Sequence, residues 1–131
     1  MAPHPYSALA TLLALAVFIW TLVLVGRARA RFGVPAPICT GNEEFERYFR
    51  VQMNTLEQLV LLLPILWLCA VWVGELHAGL GGLVWSAGRI IYVLSYIKNP
   101  ASRTLGFALT AIPTLVMAVA DAVSIVTFML G

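Results

Sequence analysis

The sequence predicts an all-α integral membrane protein, a bundle of four membrane-spanning helices. Hydrophobic residues make up 61% of the chain and charged residues 11%, whereas soluble globular chains contain roughly 45 to 50% apolar and about 25% charged residues. The apolar residues are gathered into long runs, and a spanning helix needs about 20 of them. Four such helices with short connections use nearly all of the 131 residues. We therefore expect residues 1–131 to form a single domain.

The first span is expected over residues 7–26, SALATLLALAVFIWTLVLVG, which carry no charged side chain. A cleaved signal peptide is the alternative interpretation. It is disfavoured because no Lys or Arg precedes the run and because the apolar core exceeds the usual signal length of about 7 to 15 residues. Residues 27–43 then combine arginines with prolines and glycines, which disfavour a continuous helix and indicate a polar connection.

Three further spans follow. The second is expected over residues 44–73, where acidic residues at the start suit a helix N-terminus and the helix begins in water before entering the membrane. The third is expected over residues 79–97, after a glycine-containing connection at 75–82, and Lys98, Asn99 and Pro100 end it. The fourth is expected over residues 102–130, because membrane helices tolerate a proline such as Pro113.

Basic residues mark one side of the predicted bundle. All but one of the eight Lys and Arg residues fall in or beside the connections at 27–50 and 98–103, and the 75–82 turn has none. Lys and Arg in short loops favour the cytoplasmic side of a membrane. We therefore expect both termini on the opposite side. Arg27, Arg31 and Lys98 are interpreted as topology signals.

Polar residues form stripes on two of the apolar helices. Arg50, Asn54 and Glu57 are spaced i, i+4 and i+7, so they share one face of the second helix. Charged side chains within spans are costly to insert, at about 2.5 to 3.5 kcal/mol each, and are functional candidates by default. The alternative is that Glu57 only neutralises a neighbouring arginine and holds helices together.

The third helix repeats the pattern. Arg89, Tyr92 and Tyr96 are spaced i, i+3 and i+7, and Arg103 follows just after the break. If the two stripes face each other, they offer cations for carboxylates, an anion for an ammonium group, and phenols and an amide for hydrogen bonds. That combination suits a small zwitterionic ligand with several carboxylates, bound near the cytoplasmic interface.

Two segments resemble one known family. FERYFRVQMNTLE at residues 45–57 and GRIIYVLSYIKNPASR at residues 88–103 are similar to the MAPEG superfamily, the membrane-associated proteins of eicosanoid and glutathione metabolism. The likeness covers roughly residues 27–110. It implies a homotrimer of four-helix subunits, with glutathione bound as co-substrate between neighbouring subunits on the cytoplasmic side.

The resemblance is to the branch of microsomal glutathione transferases and leukotriene C4 synthase. It implies a glutathione transferase that conjugates lipophilic electrophiles from the bilayer, with glutathione peroxidase activity toward lipid hydroperoxides as a second reaction. Catalysis falls to Arg103, and the implied glutathione-contacting positions are Arg29, Arg50, Gln52, Asn54, Glu57, Arg89, Tyr92 and Tyr96. Two departures, Gln58 directly after the glutamate and Pro64 further along than usual, mean that leukotriene synthesis is not implied.

The role that the resemblance gives to Arg103 is thiol activation. A free thiol has a pKa of about 8.5, which leaves only a few per cent as reactive thiolate at pH 7. Lowering that pKa by about two units requires roughly 2.7 kcal/mol of preferential thiolate stabilisation. A guanidinium in a partly dry site can supply this and cannot itself lose its proton.

The sequence disfavours two other function classes. A non-catalytic lipid-binding scaffold of the same superfamily is disfavoured because that branch lacks much of the arginine set that Arg50, Arg89 and Arg103 represent here. A small multidrug exporter is disfavoured because such proteins carry an essential acidic residue in the first span, and none is present at 7–26. The sequence contains no readable code for the electrophile.

The remaining ionisable and thiol side chains do not predict a second site. The net charge of +2 is too small to indicate nucleic-acid binding. Cys39 and Cys69 lack metal or redox spacing, and His4 and His77 have no companion ligands, so no metal site is expected. Asp121 lies roughly 27 Å along a helix from the start of the fourth span. We expect it near the opposite interface, in a solvated or hydrogen-bonded structural role.

Overall fold

The predicted four-helix membrane bundle is confirmed. A computed structural model describes residues 3–131 and contains α1 (Pro5–Phe32), α2 (Glu43–Trp72), α3 (Glu75–Lys98) and α4 (Thr104–Leu130), with a short 3-10 turn (Pro100–Ser102) before α4. Within the described residues, four helices are long and apolar enough to cross a membrane. Helices α2 and α3 each pack against all three other helices, so the two together form the centre of the bundle.

The first connection is shorter than the sequence indicated. Helix α1 continues through the arginines to Phe32 and ends at Gly33, whose φ of 64° and ψ of 39° place it in the left-handed conformation that glycine adopts without steric cost. The prolines that follow cannot continue the helix. The N-cap of α2 is Asn42, whose side chain accepts a hydrogen bond from the backbone N–H of Phe45.

The prediction of a connection at 75–82 was wrong, because α3 already begins at Glu75 and only Val73 and Gly74 separate it from α2. The glycines in this segment serve helix packing instead of a turn. A Cβ atom added to Gly82 would lie 2.7 Å from the Cβ of Ala10. Small residues at such positions let membrane helices approach closely.

Glycines also let α3 and α4 approach closely, toward the end of the bundle where α3 ends and α4 begins. A Cβ on Gly106 would lie 2.4 Å from the Cα of Tyr92, and a Cβ on Gly88 would lie 2.4 Å from the Cβ of Leu109. Real Cβ atoms do not approach other atoms this closely. The two glycines therefore determine how near α4 comes to the α3 polar stripe.

The opposite end of the bundle is joined by a carboxylate. Glu75 of α3 accepts hydrogen bonds from the backbone N–H groups of Tyr6 and Ser7 at 2.6 and 3.1 Å, and from the Ser7 hydroxyl at 2.7 Å. Its other contact is His4 Nδ1 at 3.1 Å. Because α1 has no side-chain cap of its own, Glu75 satisfies N–H groups that a helix start leaves without partners.

The expectation of a solvated or hydrogen-bonded role for Asp121 was wrong. Its side chain is buried, with 3% of its surface exposed, and neither carboxylate oxygen has a hydrogen-bond partner among residues 3–131. The distance along α4 gives the depth of Asp121 but not the direction of its side chain, which faces the interior of the bundle.

Candidate functional site

Arg89 lies at the centre of the candidate site and is fully buried. Its Nη2 donates a 2.9 Å hydrogen bond to Oδ1 of Asn54 on α2, and its Cζ lies 3.8 Å from the centroid of the Tyr92 ring. Nε and Nη1 have no hydrogen-bond partner within the described part of the chain. A guanidinium removed from water is costly unless it is paired. The arrangement thus leaves a positive charge with unused donors inside the bundle.

The two tyrosines of α3 continue this cluster toward the end of the helix. Tyr92 is buried and stacks on Tyr96, with 5.5 Å between ring centroids and 26° between ring planes. Apolar side chains, among them Val51 and Trp20, surround the pair. The Tyr92 ring also covers the Arg89 guanidinium, an arrangement in which the ring face attracts the cation.

Arg50 and Glu57 form an ion pair two turns apart on α2. Arg50 Nη1 lies 3.3 Å from Glu57 Oε1, and about half of each side chain is exposed, at 52% and 53%. Exposed pairs of this kind contribute only about 0.2 to 1 kcal/mol to stability. The pair therefore does little to hold the helix, and its two charges stay accessible at the surface of the subunit.

An open cavity of about 480 Å³ lies beside these residues, at the end of the bundle where α2 begins and α3 ends. Arg50 and Tyr96 both line it, and so does Arg47, which donates to the carbonyl oxygens of Ile97 and Lys98 at 3.5 and 3.3 Å. Its other lining residues are Cys39, Thr40, Glu43, Glu46, Phe49 and Pro100. The cavity offers both signs of charge to a small polar ligand.

Three of the predicted site residues stand apart from this cluster. Arg29 donates to the carbonyl oxygens of Val34 and Ile38 at 3.2 and 2.6 Å and so holds the connection between α1 and α2. Arg103 is exposed and donates to the Pro100 carbonyl at 2.9 Å. Gln52 is partly buried on α2, about 200° around the helix from the Asn54 position.

The structure thus brings Asn54, Arg89, Tyr92 and Tyr96 into one cluster and pairs Arg50 with Glu57. Sequence reasoning had not assigned Arg47 to the site. Its position three residues before Arg50, on the same helical face, was the signal that could have found it. Cys39 and Thr40 lie in an irregular connection, where no periodicity indicates which way a side chain faces.

Comparison with known proteins decides the family. A family model described as "MAPEG family" matches residues 7–123. The chain belongs to the MAPEG family. It is therefore a multi-pass integral membrane protein with four spanning helices.

Similar proteins fall into two groups. An uncharacterized protein of Synechocystis sp. is 44% identical over 92% of this chain and 88% of its own length. Human microsomal glutathione S-transferase 2 is 36% identical over 66% of this chain and 58% of its length, and bovine leukotriene C4 synthase is 36% identical over 71% and 62%. The chain thus spans about three fifths of the length of these two MAPEG enzymes. The family it belongs to is one of glutathione-related membrane enzymes.

Proposed function

We propose that this MAPEG protein is a membrane-bound glutathione S-transferase that activates glutathione as a thiolate and conjugates it to lipophilic electrophiles. Relatives named as a glutathione S-transferase and as leukotriene C4 synthase support the class. The structural observation that carries the proposal is Arg89, a buried guanidinium with two donor nitrogens that lack partners in residues 3–131. An anionic ligand would provide the missing acceptors.

Glutathione fits the charges around Arg89. It carries two carboxylates, one ammonium group and one thiol, and the site offers guanidinium groups, a carboxylate and phenols. In the proposal Arg50 and Arg89 bind carboxylates, Glu57 binds the ammonium group, and Asn54 with the two tyrosines orients the ligand. Because Arg50 and Glu57 are paired and half exposed, binding a zwitterion exchanges one ion pair for two at little cost.

Arg103 is proposed as the thiolate-stabilising residue. It lies directly after the turn that follows α3 and directly before α4. Its side chain is exposed, and its guanidinium donates one hydrogen bond, to the Pro100 carbonyl oxygen. A cation near the thiol favours the charged form and lowers its pKa. The thiolate then attacks the electrophilic carbon, a sulfur–carbon bond forms, and the leaving group departs with the electron pair of its own bond.

The second reaction in the proposal is reduction of a lipid hydroperoxide. The thiolate attacks the terminal peroxide oxygen, the O–O bond breaks, and the lipid leaves as an alkoxide that takes a proton to become an alcohol. The glutathione sulfenic acid that forms reacts with a second glutathione to give glutathione disulfide and water. Both reactions need the same activated thiolate, so one site serves both.

The proposed assembly is a homotrimer with glutathione sites between neighbouring subunits. Gln52 projects from a different side of α2 than Asn54, and Arg29 is engaged by the connection after α1. One subunit cannot easily direct all nine predicted residues at one ligand, whereas two adjacent subunits can. The site is proposed to face the cytoplasm, with both termini on the other side.

The test is glutathione turnover by purified protein in detergent or nanodiscs. Conjugation of chlorodinitrobenzene and reduction of a fatty-acid hydroperoxide are measured from acid to alkaline pH, together with the ultraviolet absorbance of bound thiolate. We expect Arg103→Ala to abolish the thiolate absorbance near neutral pH and to slow conjugation by about one to two orders of magnitude below pH 7, corresponding to a pKa raised by up to about two units.

Arg27→Ala is the matched control, because Arg27 is an exposed arginine at the same end of the bundle and has no proposed role in the site. It should keep the wild-type rate and absorbance. Absence of glutathione-dependent turnover with a broad panel of electrophiles and hydroperoxides would overturn the proposal. So would an Arg103→Ala protein with an unchanged pH profile.

A non-catalytic lipid-binding scaffold is the second candidate. The observation in its favour is that Arg50 and Glu57 already neutralise each other within one subunit, so these residues do not require a ligand. Calorimetry with glutathione separates the two candidates. A scaffold should give no heat of binding, whereas a transferase should bind glutathione and lose affinity when Arg89 or Arg50 is replaced.

A further inference from the structure

A cavity of about 310 Å³ lies between α2, α3 and α4, toward the end of the bundle opposite the candidate glutathione site. Two of its lining residues, Cys69 and Met117, carry sulfur. Both side chains are buried, with 1% and 5% of their surface exposed. His77 lines the same cavity and is exposed. The cavity therefore leads from the surface near His77 to two buried sulfur side chains.

Helix packing places the two sulfur residues at nearly the same depth. A Cβ atom added to Gly81 would lie 2.5 Å from Sδ of Met117, and one added to Gly82 would lie 2.7 Å from Cδ1 of Leu66. Cys69 follows Leu66 by three residues, roughly 4.5 Å of helix toward the end of the bundle. Cys69 and Met117 thus differ by roughly 3 Å in depth. Both also belong to one buried cluster of side chains.

A buried carboxylate lies beside this sulfur pair. Asp121 follows Met117 by one turn of α4 and is buried on the same face. It is 3% exposed, and neither carboxylate oxygen has a partner among residues 3–131. It is close enough to Cys69 for its charge to act on the thiol. Because a buried carboxylate without a partner is costly, Asp121 indicates that the cavity receives a cation.

The side chains around the cavity suit a soft metal ion. Within residues 3–131, no three His, Cys, Asp or Glu side chains are grouped closely enough to hold a metal ion. The cavity therefore lacks the ligand set of a zinc or magnesium site. It offers a thiol and a thioether instead, and sulfur ligands of these two kinds select ions such as Cu(I).

We propose that Cys69 and Met117 bind one soft monovalent metal ion of the Cu(I) class, and that Asp121 accepts the proton that the Cys69 thiol loses. A metal–sulfur bond forms at Sγ as the S–H bond breaks, and the proton passes to a carboxylate oxygen. Sδ of Met117 donates a lone pair as the second ligand. No group is oxidised or reduced.

The charges of this site balance for a monovalent ion. Before binding, the neutral Cys69 thiol and the ionised Asp121 carboxylate together carry one negative charge. After binding, the metal ion, the thiolate and the protonated acid together are neutral. A divalent ion would leave one positive charge in an apolar interior, which is costly. Because Cys69 and Met117 belong to different helices, their spacing in the sequence could not indicate the site.

The test uses Ag(I), which has the same charge and resists oxidation by air. Full-length Cys39→Ser protein is purified in detergent without glutathione, so that Cys69 is the only remaining thiol. After desalting, mass spectrometry should find about one silver ion per subunit, and ultraviolet spectra should show the absorbance of a silver–thiolate bond. Zinc supplied at the same concentration should be retained at least about tenfold less.

Two further substitutions in the Cys39→Ser protein locate the ligands. Cys69→Ser should lower the silver affinity by at least about a hundredfold, and Met117→Leu, which nearly conserves volume, by about tenfold. Met129→Leu makes the same change at a position of α4 that is 76% exposed. This matched control should bind silver as the Cys39→Ser protein does. Thermal unfolding verifies that each variant is folded.

Asp121 is tested by counting protons. Calorimetry of silver binding in two buffers of different ionisation enthalpy gives the number of protons released. The Cys39→Ser protein should release almost none, whereas Asp121→Asn in the same background should release about one per bound ion, because the amide cannot accept the thiol proton. A purely structural Asp121 would change stability without changing the proton count.

The proposal fails if the folded Cys39→Ser protein retains no silver or shows no thiolate absorbance, which requires no change at Cys69. It also fails if Met117→Leu and Met129→Leu bind silver equally, or if zinc is retained as well as silver. An unchanged proton count in Asp121→Asn would remove the carboxylate from the mechanism. None of these measurements involves glutathione, so their outcome is independent of the proposed transferase activity.

Discussion

Arg89 of α3 and Asn54 of α2 are joined by a 2.9 Å hydrogen bond from Nη2 to Oδ1, and the guanidinium that makes it is fully buried. The asparagine is neutral, so it supplies an acceptor without cancelling the charge. A carboxylate at the same position would have completed a structural ion pair. The neutral partner leaves the charge of Arg89 without a counter-charge within the subunit, and in the proposed function a glutathione carboxylate supplies that counter-charge.

Changing Asn54 separates these roles. Asn54→Asp should leave the bundle folded but weaken glutathione binding by at least about tenfold, because the new carboxylate occupies the guanidinium and repels the ligand. Asn54→Leu should lower stability by about 1.5 to 3 kcal/mol, the range for a hydrogen bond to a charged group. Thermal unfolding in detergent and glutathione calorimetry measure the two effects. Wild-type glutathione affinity in Asn54→Asp would contradict the assignment.

The Arg50–Glu57 pair allows a test by charge exchange. The double variant Arg50→Glu, Glu57→Arg retains an ion pair between the same positions, so its stability should stay within about 1 kcal/mol of the wild type. Its glutathione affinity should fall by more than about tenfold. The new glutamate would repel the glutathione carboxylate, and the new arginine would repel the ammonium group. If the pair were only structural, the exchange would leave glutathione binding unchanged.

Gly106 is predicted to control the distance between α3 and α4. Gly106→Ala places a methyl group against the backbone of Tyr92, at 2.4 Å from its Cα, and should cost about 1 to 3 kcal/mol of stability through overpacking. Transferase activity should fall as well, because α4 carries Arg103 at its start.

Gly26→Ala is the matched control for Gly106→Ala. Nothing lies within 4 Å of a Cβ atom at Gly26, so the substitution should be neutral or should stabilise α1 by about 0.5 to 1 kcal/mol. Thermal unfolding and chlorodinitrobenzene turnover of the two variants are compared. Equal stability of both variants would refute the close approach of the two helices.

The number and type of the helices could be predicted because each apolar run is long enough to span a membrane and few charges interrupt it. Their ends could not be predicted equally well. Glycines are frequent both in turns and at close helix contacts. Gly82 lies at a close helix contact, although the composition of residues 75–82 indicated a turn. Only the neighbouring helix, here Ala10 of α1, decides between the two uses.

The candidate site was predictable to the extent that helical spacing determines it. Asn54 and Arg89 meet because each belongs to a polar stripe and the stripes face each other. Spacing did not predict the environment of Asp121, because a single carboxylate in an apolar run has no periodicity. Nor could it predict which residues of the 33–42 connection line the cavity beside Arg50, since that segment is irregular.

Glu75 presents a long-range contact that sequence spacing could not indicate, because its partners at the start of α1 lie 68 and 69 residues away. A carboxylate at a helix N-terminus satisfies free N–H groups and interacts favourably with the helix dipole. We expect Glu75→Ala to lower the midpoint of thermal unfolding by several degrees. Glu75→Gln should have a smaller effect, since its amide oxygen still accepts hydrogen bonds.

The two Glu75 variants should keep wild-type glutathione turnover per folded molecule, because Glu75 lies at the opposite end of α3 from Tyr96. Thermal unfolding and turnover are measured on the same preparations. A Glu75→Ala protein with the wild-type midpoint would show that α1 does not depend on this contact. Loss of turnover at unchanged stability would instead indicate that the two ends of the bundle are coupled, because no atom of Glu75 belongs to the proposed site.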